Sequence, residues 1–65
     1  MRLVVHKADD ALYLRLDDSA IAESEEVSEG IILDYNAEGK VIGIEVLHLS
    51  ERSPNSLEEI LLENA

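Results

Sequence analysis

The residues able to do chemistry in this chain are mostly carboxylates. Asp17, Asp18, Glu23, Glu25, Glu26 and Glu29 follow one another in a stretch with no basic residue. Clustered carboxylates suit a hard divalent cation. The spacing misses the EF-hand pattern D-x-[DN]-x-[DN]-G, however, and nothing in it makes the oxygens converge. His6 and His48 could begin a metal site, but a third ligand is not evident. Ser19, Ser24 and Ser28 lie in the acidic tract without a histidine nearby to activate them. Asp34 and Glu45 interrupt apolar runs, where a carboxylate needs a donor. Arg15 and Lys40 are the expected partners, as a cross-sheet ion pair rather than a catalytic acid and base. Tyr13 and Arg15 are two apart, and both types are enriched at binding hot spots. Contact is favoured over catalysis: neither an enzyme nor a cofactor is expected.

The elements that position these groups are short strands. Leu3-Val4-Val5 makes Arg2 to His6 a first strand. Lys7-Ala8-Asp9-Asp10 is a polar turn, and Ala11 to Leu16 alternates with Leu12, Leu14 and Leu16 on one face. Tyr13, Arg15 and Asp17 fall on the other, so Tyr13 and Arg15 share a side. Ala20 to Val27 reads as an irregular edge strand or extended connector, whose charge blocks unwanted pairing.

The strongest signal is the hairpin Gly30 to Leu49, two β-branched runs around Asn36-Ala37-Glu38-Gly39. A three-residue loop with a glycine bulge pairs Tyr35 with Val41, Leu33 with Gly43 and Ile32 with Ile44. A four-residue loop sets Leu33 against Ile42 and Ile31 against Ile44. Turn chemistry supports the first and the tidier face supports the second; the first is preferred. It puts Ile31, Leu33, Tyr35 and Val41 on one face, with Ile32, Ile42, Ile44 and Val46 on the other. Two apolar faces would need two covers. Gly43 reads as a bulge or close-packing position.

After residues 1–49 as sheet, residues 50–55 read as a polar linker and 56–64 as a helix. Ser56 and Glu59 have capping-box spacing, and Leu57, Ile60 and Leu61 form a stripe. The fold class is therefore α+β, an antiparallel meander-like sheet of four or five strands with one C-terminal helix.

Sixty-five residues make one small domain, and no cysteine is present to staple it. A chain this size buries only about 60% of its unfolded surface. Self-association or a protein partner is the favoured support, with a homodimer as the expected state. The net charge of −10, from 15 acidic and 5 basic residues, argues against nucleic acid and anionic membranes as partners. No apolar run approaches the roughly 18 residues of a membrane span, and the first residues lack a signal-peptide core. A cytoplasmic location is the expectation.

D-A-L-Y-L-R-L at Asp10 to Leu16, A-E-S-E-E-V at Ala22 to Val27, G-I-I-L-D-Y-N at Gly30 to Asn36 and G-K-V-I-G-I-E-V-L at Gly39 to Leu47 carry a resemblance. In order, they resemble the small prokaryotic domain-of-unknown-function family numbered 2283, as far as about Ser50. The resemblance carries over no activity, cofactor or catalytic residue. It implies a stand-alone small protein, some of whose relatives accompany a second small protein similar to a ribonuclease-type toxin.

The functional expectation is an acidic protein-interaction module, antitoxin-like, that neutralises a small basic partner. Tyr13, Arg15, Glu23, Glu25 and Glu26 are the expected contact residues. A structural homo-oligomer without a ligand is the alternative, and a weak metal-dependent enzyme comes third.

Overall fold

A computed structural model describes residues 1–52 of the chain. Five strands form a single antiparallel sheet: β1 (Arg2–His6), β2 (Ala11–Arg15), β3 (Glu23–Ser28), β4 (Ile31–Tyr35) and β5 (Val41–Val46). Their order is β1-β2-β5-β4-β3. The first two make a hairpin and the last three a meander. The chain between them crosses to the far edge, so β5 returns to lie against β2. The α+β expectation holds, with β3 on an edge as its charge suggested.

The hairpin β4–β5 closes as turn chemistry requires. The Asn36 side-chain oxygen accepts from the backbone N–H of Glu38 at 2.9 Å and of Lys40 at 3.0 Å. The Asn36 N–H donates to the Lys40 carbonyl at 2.9 Å, leaving a three-residue loop. Gly39 sits at φ 81, a left-handed conformation that favours glycine. Tyr35 pairs with Val41, as the three-residue loop demands.

Beyond the turn the register departs from both sequence alternatives. Asp34 pairs with Gly43, Leu33 with Ile44, Ile32 with Glu45 and Ile31 with Val46. Ile42 is therefore an extra residue, a β-bulge that interrupts strict alternation. This corrects the expectation of two apolar faces. The bulge shifts Ile44 and Val46 to the side of Ile31 and Leu33. One face is consequently apolar. Across it run the rows Val5–Leu12–Val46–Ile31 and Leu3–Leu14–Ile44–Leu33–Glu25. The other face carries Val4–Tyr13–Glu45–Ile32–Glu26 and Arg2–Arg15–Gly43–Asp34–Ser24.

The last described element is α1 (Leu49–Arg52), so residues 50–52 are helical where the sequence suggested a linker. His48, at φ 55, turns the chain out of β5, and its carbonyl accepts from the N–H groups of Glu51 and Arg52. Asp10, at φ 53 in the β1–β2 turn, pins the helix start. Its carbonyl accepts from Leu49 N–H, and its carboxylate from the N–H and hydroxyl of Ser50. The rest of the linker and the helix expected at 56–64 lie outside the described residues.

Among the described residues only Ala11, Ile42 and Leu49 are buried apolar side chains. The strong contacts between elements are all between neighbouring strands. Most large apolar side chains of the sheet are half-exposed. The described residues thus make one layer, whereas a stable domain packs at least two.

Candidate functional site

The polar face is organised around a carboxylate. Asp34 is 8% exposed, and β4 places it beside Gly43 of β5 and Ser24 of β3. The Tyr13 hydroxyl donates to Asp34 Oδ2 at 2.7 Å, and the Ser24 hydroxyl to Oδ1 at 2.6 Å. Tyr13 reaches Asp34 by leaning across Gly43. A Cβ at that glycine would lie 2.3 Å from the Tyr13 hydroxyl and 2.9 Å from Asp34 Oδ2. Gly43 is a close-packing position, as the sequence suggested.

Arg15 completes the belt without touching the carboxylate. Its guanidinium donates to the Tyr13 hydroxyl at 3.2 Å, to the Asp17 carbonyl at 2.7 Å and to the Ser19 carbonyl. The expected Arg15–Asp34 ion pair is thus replaced by a relay through Tyr13. Hydroxyls from two strands satisfy the carboxylate, and the cation holds the connection leaving β2. Lys40 pairs instead with Glu38 at 3.7 Å. These bonds tie the Arg15 guanidinium to Tyr13 and to the connection that leaves β2.

The five expected contact residues are not brought together. Tyr13, Arg15 and Glu26 lie on the polar face, whereas Glu23 and Glu25, opposite Tyr35 and Leu33, lie on the apolar face. Glu26 accepts from Gly30 N–H at 3.1 Å and so belongs to the β3–β4 turn. Glu25 accepts from the Tyr35 hydroxyl at 3.3 Å. Partial desolvation, then the Glu25 charge, pushes the Tyr35 phenol up from 10.0. In the loop after β2, a hydrogen bond from the Ser19 hydroxyl holds Asp17 below 3.8.

Among the described residues there is no group of three or more histidines or carboxylates that could hold an ion. His6 ends β1, while His48 follows β5, and β2 lies between those strands. His48 faces Glu51 at 3.5 Å. Among the described residues no helix is long and apolar enough to cross a membrane.

What sequence reasoning missed is the part of Ser24, and the way Tyr13, Arg15 and Asp34 join. An apolar strand interrupted by Asp34 was a usable signal. It lacked only the strand order. Residues 5–50 match the family described as a protein of unknown function, DUF2283. The chain belongs to that family. The matched segment of DUF2283 runs from β1 into the first residues of α1, so it includes the whole polar belt and most of the apolar face. No curated protein and no solved structure matches the chain.

Proposed function

We propose that this DUF2283 protein is a protein-interaction module, antitoxin-like, that presents the apolar face of its sheet to a small basic protein. One observation carries the reading: a five-stranded layer whose apolar face is half-exposed and rimmed on the β3 side by Glu23 and Glu25. Area on that face supplies affinity on burial, and charge supplies selection and orientation of a basic partner. Tyr13, Arg15 and Glu26 support the surface from behind. The activity is binding, not catalysis.

The test is co-expression with a small basic protein encoded beside it, followed by co-purification and a growth assay. Leu33→Lys should abolish retention, since it buries a charge in the contact. Glu25→Lys should weaken retention and reduce its salt dependence. If no such protein is retained and its toxicity is untouched, the reading is wrong.

The same face favours a second reading, a structural homo-oligomer packed face to face. Glu23 and Glu25 count against it, because two such rims bring like charges together. A monomer mass for Leu33→Lys beside a dimer mass for the natural chain would favour it.

A further inference from the structure

The two edges of the sheet are built oppositely. β3 is charged at Glu23, Glu25 and Glu26 and irregular between Glu26 and Ser28, two devices that stop a strand from accepting a neighbour. β1 has neither. It pairs with β2 in unbroken register over Arg2–His6, and its free side carries no bulge. No carboxylate occurs from Met1 to Ala8, the longest such stretch in the chain. Leu3 is 47% exposed. In a chain of net charge −10, this is the edge that another acidic molecule approaches with least repulsion.

We infer that β1 is a pairing edge for β1 of a second copy of this chain. An antiparallel pair centred on Val4 sets Leu3 opposite Val5 of the other copy, and Arg2 opposite its His6. Both apolar contacts fall on the apolar face, so the seam joins two faces into one continuous surface. Twofold symmetry closes the contact at two copies. The β3 edge is a poorer occupant: pairing it with β1 would be open-ended, and its irregularity spoils the ladder. This inference rests on the edge alone, and isolated protein tests it without the basic partner.

The experiment combines mass measurement with crosslinking, which is clean because the chain has no cysteine. Light scattering on purified full-length protein at micromolar concentration should give twice the chain mass. In Val4→Cys the two introduced residues face each other, with Cα atoms about 5 Å apart. That lies within the span of a disulfide. Mild oxidation should convert Val4→Cys to a covalent dimer and leave Leu33→Cys uncrosslinked. Leu3→Lys, whose side chain is exposed, should halve the mass while keeping the strand signal in circular dichroism. A monomeric natural chain overturns the inference. So does a dimer in which Leu33→Cys crosslinks and Val4→Cys does not.

Discussion

Gly43 lies beneath Tyr13 and beside Asp34, and a single added methyl there has no room. Gly43→Ala should cost about 1–3 kcal/mol, the usual range for overpacking. Tyr13→Phe should cost about 1–3 kcal/mol by depriving a buried carboxylate of a donor. Urea denaturation of both variants and the double variant checks this. The costs should be less than additive, because both changes remove the same hydroxyl from Asp34. The titrations have definite signs. The Tyr35 phenol is raised in the folded chain, so its contribution to stability is present below pH 10.0 and is lost as pH rises through the raised value. Phenolate absorbance should show that value falling back in Glu25→Gln. Asp17 is lowered, so its contribution is present above 3.8 and is lost as pH falls through the lowered value. Ser19→Ala should return it toward 3.8, as carboxyl NMR shifts would report. Tyr13, Arg15 and Asp34 were each legible as unusual residues. Their connection was not, because it needs β5 inserted between β2 and β4, and nothing local encodes that insertion.

At the scale of elements, the strands were the readable part. A short β-prone run placed β1 and alternation placed β2, both to within one residue, and the acidic tract marked β3 as an edge. Asn36 and Gly39 announced the loop and its pairing of Tyr35 with Val41. The error began at the next residue, Ile42. A bulge has no obligatory sequence mark when its extra residue is an ordinary isoleucine, and Ile42 reads as part of a regular run. One inserted residue exchanged the faces of Ile44 and Val46, and with them the expectation of two apolar sides. The loop makes a sharper test than the bulge. Gly39→Ala has no steric neighbour within 4 Å, so its cost should come from the left-handed backbone alone, about 1 kcal/mol. Asn36→Ala should cost more, about 1–3 kcal/mol, because it removes two hydrogen bonds that close the turn. Thermal unfolding of the two variants should preserve that order.

For the molecule as a whole, charge and layering pull together. Fifteen carboxylates against five cations repel one another in the compact state, so added salt should raise the unfolding temperature of the isolated protein. Calorimetry from low to moderate sodium chloride checks this, and an unchanged or falling midpoint would count against it. A basic partner should show the opposite trend, binding more weakly as salt rises. With β1 as the inferred pairing edge, the two edges have a consequence best stated in the vocabulary of polymer growth. A unit with one reactive end and one capped end has a functionality of one, and growth terminates at the dimer. The carboxylates and irregularity of β3 are that cap. Replacing Glu23 and Glu25 with valine would remove most of the charged part of that cap, and growth would then gain a second direction. Light scattering that climbs with concentration in Glu23→Val/Glu25→Val, beside a constant dimer for the natural chain, is the expected record of an acidic strand that works as a terminator.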